Sequence, residues 1–394
     1  MKSFSRLKQY FLLLSIFSSL QLFSTEKAQP EFKVSPIGRI HVDGAVYFPE
    51  GNGFKPGAAL SEIRAGARAT YGDWMARIEV GYSYGKIGMK DVYIQRFFKA
   101  GNHLRLGYFI PQFGIRGGGS ASYKPAMITE TPESFFRTTS RKIGLMYTHC
   151  DKLFSAYATA FVGGHSLLFS VTEQGKSSVG GSLRATIHPL TNPGNIFQAG
   201  ISTSYETATH TRVINDDGEE VASDGYRQFS ASFPTTVCKV AMLEADVRDA
   251  VGDWKISPEI SFAKGRFALE TQYYYMSVKR TGSLPGYHAS GVYAMLRGIV
   301  FGGKEYTFSS ADSNIAYPSP KSFELVAAFS YTDANSKGSG IYGGIANDYS
   351  LTANYYINKY MIARLRYSYT AVHGSCVSPN RNINTIQARL QFVF

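Results

Sequence analysis

The stretch NTIQARLQFVF, residues 384–394, separates into two faces when read at every second position. Phe394, Phe392, Leu390, Ala388 and Ile386 fall on one side, with Val393, Gln391, Arg389, Gln387 and Thr385 on the other. Successive side chains of a β-strand point to opposite faces, so this is a strand with one apolar and one mostly polar face. It needs hydrocarbon outside and water inside.

The pattern recurs. In EIRAGARATY (62–71), Ile63, Ala65, Ala67, Ala69 and Tyr71 alternate with Glu62, Arg64, Gly66, Arg68 and Thr70. After Gly72-Asp73, Trp74, Ala76, Ile78, Val80, Tyr82 and Tyr84 alternate with Met75, Arg77, Glu79, Gly81 and Ser83, which predicts a hairpin. Similar runs fall at about 37–48, 91–98, 104–113, 141–149, 154–163, 179–188, 196–206, 254–263, 267–279, 291–302, 322–332, 348–357, 360–371 and 383–394, about sixteen in all. Short connections (Gly72-Asp73, Lys264-Gly265-Arg266, Asn358-Lys359) alternate with long ones (114–140, 164–178, 207–253, 372–382). Such alternation predicts an all-β fold, a transmembrane antiparallel β-barrel of about 16 strands, porin-like, with one trimmed and one elaborate rim. The connection 303–321 is longer than this scheme requires.

Composition agrees. The chain has 394 residues with 27 Tyr, 27 Phe and 39 Gly, yet only 44% hydrophobic residues. After residue 30 it contains no uncharged apolar stretch of the ~18 residues that a membrane helix needs. Aromatics gather at predicted strand ends (Tyr82 and Tyr84, Tyr273 and Tyr275, Tyr367 and Tyr369), where rings would meet headgroups. A soluble β-sandwich or propeller would not explain that placement.

Residues 1–28 read as a signal peptide. Lys2, Arg6 and Lys8 precede a short apolar run ending near Leu22-Phe23-Ser24, and cleavage is expected between about 24 and 28. The alternative is a short membrane anchor. The barrel would then occupy 29–394, in the outer membrane of a Gram-negative-type bacterium with lipid around it. Cys150, Cys238 and Cys376 are an odd, widely spaced set, so one pair at most could bridge and no zinc motif exists. No cofactor or metal is expected.

The net charge is +12, and its placement decides its meaning. An Arg or Lys facing mid-bilayer lipid costs ~2–4 kcal/mol, whereas a water-filled lumen imposes little penalty. Alternation therefore assigns Arg39, Arg64, Arg68, Arg77, Arg105, Arg184, Arg297, Arg364, Arg366 and Arg389 to the interior. About half are expected to brace the wall by pairing with acids such as Asp43, Glu62, Glu79, Glu270 and Glu324, with Arg64 and Arg77 as examples. The final hairpin stands apart, because no Asp or Glu follows Asp348. Arg364, Arg366 and Arg389 are thus expected to leave positive potential on the channel wall. Basic residues spread over an inner wall do not make a nucleic-acid stripe.

GRIHVD (38–43), KDVYIQ (90–95), LRLGYFIPQFG (104–114), VGGSLRATIHPL (179–190), ISPEISFAKGRFALETQYYY (256–275), SFELVAAFSYTDAN (322–335) and DYSLTANYYINKY (348–360) resemble, in order, strands of the phosphate-selective porins O and P. The terminal Phe394 agrees with the signal by which barrel proteins are assembled. The resemblance implies a sixteen-stranded, usually trimeric, passive channel for anions such as phosphate, with a loop folded inward at its constriction. The long loop near 114–141 matches that loop; it carries Gly117-Gly118-Gly119 and the basic residues Arg116, Lys124, Arg137, Arg141 and Lys142. Ala328 departs from the family, many members of which carry arginine there.

Other classes are a diffusion porin of little selectivity, a plugged barrel acting as a surface ligand-binding protein, and an outer-membrane hydrolase. For a plug, the loop 207–253 with Asp216-Asp217-Gly218-Glu219-Glu220 is the candidate. For a hydrolase, His165 and Ser166 are strand neighbours pointing to opposite faces, and His288 and Ser290 lack a third member, so no catalytic residue is assigned.

Overall fold

The computed structural model describes residues 30–49, 53–83, 85–117, 123–136, 141–163, 175–214, 220–222, 225–378 and 380–394. The predicted leader, Arg137, the run 164–166 and residues 216–219 of the acidic run lie outside them.

Sixteen antiparallel strands close into a barrel. They are β1 (Lys33–Phe48), β2 (Gly57–Tyr71), β3 (Trp74–Ser83), β4 (Lys86–Phe97), β5 (His103–Phe109), β6 (Lys142–Cys150), β7 (Phe154–Val162) and β8 (Val179–Asn192). The second half comprises β9 (Asn195–Thr207), β10 (Ala250–Lys264), β11 (Phe267–Arg280), β12 (Tyr287–Phe301), β13 (Ser322–Ser336), β14 (Ile341–Tyr356), β15 (Met361–His373) and β16 (Arg381–Val393). Two-residue hairpins favour positive φ at the turn, which Gly72 and Gly265 supply, each at 55°. Several strands outrun the alternating segment: β10 starts at Ala250 and β14 at Ile341, where backbone pairing with Arg280 and Ser336 continues the ladder.

β16 closes the barrel against β1, with Arg389 opposite Asp43 and Phe392 opposite Ile40. Phe394 exchanges two backbone hydrogen bonds with Gly38, at 2.9 and 3.0 Å. A β-carbon on Gly38 would lie 2.5 Å from the Phe394 ring, so glycine is what lets the last aromatic lie flat on the opening strand. The outward flank of the seam (Ile40, Val42, Ile386, Leu390, Phe392) is exposed and apolar, as a surface against hydrocarbon must be.

Three chain segments enter the bore. From the long-loop rim come residues 110–117 and 123–136, including a short helix at Thr131–Phe136, and a hairpin pairing Tyr226–Ser232 with Ala241–Arg248. From the short-turn rim comes 302–321, the connection that looked too long; it joins β12 to β13 and turns inward. These segments bury an apolar cluster inside the barrel, centred on Phe135, Phe136, Phe229, Leu243, Tyr274 and Tyr293. The bore is therefore only partly hydrated, which corrects the expectation of a uniformly wet interior.

Candidate functional site

A cavity of about 910 Å³ remains beside this plug. Its lining runs from Ser83, at the long-loop end of β3, to Ser309 and Asp312 in the segment from the opposite rim. One side is the inner face of β1–β5, contributing Arg39, Arg64, Arg77, Tyr93 and Arg105; the other is the inward loop and the tip of the hairpin. Ten Lys/Arg and four Asp/Glu side chains line it among the described residues.

On the β1–β5 wall, charges form a continuous chain. Arg39 pairs with Glu62 at 3.0 Å, and Arg64 bridges Glu62 and Glu79. Arg77 lies 3.4 Å from Glu79 and 3.9 Å from Asp91, and Arg141 donates to Asp91 at 2.7 Å. Arg64 and Arg77 are thus paired as expected. Arg105 differs: its Nε donates to Gln95 at 2.9 Å and its guanidinium lies 4.2 Å from the Tyr93 ring centroid, with no carboxylate in ion-pair range among the described residues. A cation held by an amide and a π face keeps its full charge toward the cavity.

The inward loop is pinned across the bore. Gly114 N donates to Ser202 at 2.9 Å, Arg116 forms a two-point pair with Glu270, and Asn354 donates to Pro125 O at 2.9 Å. Lys124 pairs with Glu133 inside the loop, and Lys142 with Glu206 at 2.7 Å. Glu130, fully enclosed on this loop, has its carboxyl raised to about 8 by burial and then by the nearby Asp348, against the opposing pull of Arg366.

The final hairpin departs from expectation. Arg366 donates to Asp348 and to Pro234 O, at 2.6 and 3.1 Å. Arg389 grips Asp43 at 2.7 and 3.0 Å and also reaches Met127 O. Arg364 donates to Lys124 O at 2.6 Å. The counter-charges come from β14 and β1, the strands flanking the hairpin, and the remaining donors fasten the inward loop and hairpin. Of the three arginines only Arg389 touches the cavity. The hairpin expected to be unneutralised thus has two of its three arginines matched by carboxylates on neighbouring strands.

Arg184 and Arg297 are also bracing groups, both 1% exposed. Arg184 pairs with Glu259 at 2.7 Å and donates to Ser313 O at 3.0 Å; Arg297 pairs with Glu324 at 2.9 Å and reaches Ala316 O. Each holds the segment from the short-turn rim. Arg68 is exposed on the inward-facing side of β2, close to the Gly72-Asp73 turn. Lys239, at the hairpin tip, lines the cavity and was not anticipated, because nothing in 207–253 marks which part turns inward.

His288 lies on the outward side of β12, its Nδ1 2.9 Å from the Tyr275 hydroxyl, which gives Ser290 no partner in the bore. The three cysteines are separate thiols, and the described residues contain no group of three or more His, Cys, Asp or Glu able to hold a metal.

The family model for phosphate-selective porin O and P matches residues 67–394. The chain belongs to that porin family. It is an outer-membrane protein of the Gram-negative type, and its barrel resembles solved porin-type barrels. OmpT, an outer membrane protein of Vibrio cholerae, aligns with a TM-score of 0.56 at 9% identity, covering 95% of this chain and 100% of that one. An anion-selective porin from Comamonas acidovorans aligns with the same TM-score at 12% identity, over 92% and 100%. OprB of Pseudomonas putida aligns at 0.51 and 11%, over 92% and 94%. At these identities the likeness is one of fold. No curated protein sequence matches the chain.

Proposed function

We propose that this porin is a passive, anion-selective channel for phosphate or similar small oxyanions, and not an enzyme. The observation that carries this is Arg105, which faces the cavity beside Arg77 and Arg141 with no carboxylate in ion-pair range among the described residues; ten basic and four acidic side chains line that cavity, of which Arg116, Arg297 and Arg389 are matched by Glu270, Glu324 and Asp43 behind the lining. A narrow passage with low-dielectric walls concentrates such a field and enriches mobile anions. Guanidinium forks suit oxyanions because they offer paired donors, and several moderate sites in series let an ion leave as well as arrive. Arg77, Arg105, Arg116, Lys124 and Arg141 are the proposed contact residues, with the inward loop as the constriction.

Family membership and the anion-selective relative in Comamonas acidovorans support the reading. A homotrimer is proposed with it, since a trimer form is among the similar Vibrio cholerae OmpT structures. Residues 1–28 are proposed as the export leader.

The test is the reversal potential of single channels in a salt gradient, repeated with phosphate as competitor. Anion preference together with phosphate reduction of chloride current is expected. A cation-selective or unselective current would overturn the reading.

A further inference from the structure

The loop from one rim and the segment from the other meet ring to ring. Tyr123 and Tyr317 are stacked, with centroids 4.4 Å apart and planes 6° from parallel. Behind Tyr317 lies Tyr356 of β14, 6.2 Å away and 16° from parallel, its hydroxyl donating to Glu324 at 2.7 Å. Three near-parallel rings thus run from the inward loop, through the segment, to the barrel wall. Tyr123 and Tyr317 line the cavity, whereas Tyr356 is buried behind them.

We propose that the Tyr123–Tyr317 stack is the size-determining seal of the channel: it closes the gap between the two inward elements and confines solutes to the cationic lane along β1–β5. This rests on the channel reading above and adds the residues that set the largest solute admitted.

Three observations support it. The segment carrying Tyr317 is held to two strands of the wall, by Arg184 on β8 through Asp312 O and Ser313 O and by Arg297 on β12 through Ala316 O. It is therefore a strut clamped just ahead of Tyr317. Away from the rings, the strut approaches the loop through Asn314 and Ile115 O at 3.4 Å, a long and weak contact. Finally, burial and the adjoining Tyr317 push the Tyr123 hydroxyl up to about 12, so the ring at the seam stays neutral and does not add to the cation–anion balance. The stack should act on size and leave charge selectivity to the arginines.

The test uses the full chain in planar bilayers and in liposomes, with neutral mono-, di- and trisaccharides as size probes. Tyr317→Ala should raise unitary conductance about twofold, because permeation follows pore diameter. It should also admit a sugar that the parent excludes and leave the reversal potential unchanged; Tyr317→Phe, which keeps the ring, should behave as the parent. Should Tyr317→Ala fail to assemble, Tyr123→Ala removes the same stack from the other side. Unchanged or lowered conductance with an unchanged sugar limit overturns the proposal while leaving the channel reading intact. A parent protein that passes no current overturns both.

Discussion

Along β1–β5 the inward side chains Arg39, Arg64, Arg77 and Arg105 face a cavity; along β11 and β12, Tyr274, Met276, Val278, Tyr293 and Met295 face the packed loop and hairpin, with Glu270 and Arg297 nearer the short-turn rim. Both walls alternate with period two and both turn an apolar flank to lipid. What differs is what the inner face meets, and that is set by chain arriving from distant loops. Buried arginines follow the same division. On the packed side, Arg184, Arg297 and Arg366 are bound to carboxylates and to carbonyls of the inward segments, so their positive charge is spent on architecture. On the open side, Arg105 keeps its charge for the path.

The largest effect should come from breaking a packed-side cluster. Glu324 accepts from Arg297, Tyr306, Asn354 and Tyr356 at 2.7–3.1 Å and is fully buried. Glu324→Gln leaves Arg297 without its counter-charge, and the denaturant unfolding free energy should fall by about 3–5 kcal/mol. An unchanged midpoint would mean that this wall is not held as described.

A smaller effect tests the seam. Arg389→Gln and Asp43→Asn should each destabilise the barrel, while the double variant costs less than their sum by roughly 1–3 kcal/mol. Strict additivity would show that the contact between β1 and β16 at these two residues is incidental.

A third test is pH dependence from the inward loop. Glu130 faces Asp348, Glu133, Arg366 and Lys124, and its carboxyl is raised from 4.5 to about 8. In that interval the folded protein holds a proton that the unfolded chain releases. Stability should therefore be highest and level below pH 4.5, fall as pH rises from 4.5 to 8, and level off above 8. Thermal midpoints across the range read this directly, and Glu130→Gln should flatten the slope. An equal slope in that variant would assign it to other groups.

Much of the fold was legible because hydrocarbon imposes its demand strand by strand. Arg389 had to face inward from its neighbours alone, and the alternation of short and long connections fixed which rim was trimmed. Strand ends were less legible, since above the membrane band backbone pairing continues where alternation has stopped, as at Ala250 and Ile341. The site was legible only in part. Arg105 could be placed on the inner wall, but that it faces the cavity held by Gln95 and Tyr93, with no carboxylate in ion-pair range among the described residues, depends on the neighbouring strand. The hairpin of Arg364, Arg366 and Arg389 carries no acid of its own, and Asp43 pairs with Arg389 from some 350 positions away in the chain. The inward course of 302–321 leaves no periodic signature, because it is held by irregular contacts, among them backbone carbonyls offered to Arg184 and Arg297.

Single-channel reversal potential, compared between Arg105→Gln and Arg366→Gln in one salt gradient, probes the open wall and the packed wall together. Arg105→Gln should move the potential toward zero, and Arg366→Gln should leave it near the parent value while lowering thermal stability. The reverse outcome, with selectivity lost through Arg366 and kept without Arg105, would contradict the placement of the anion path along β1–β5.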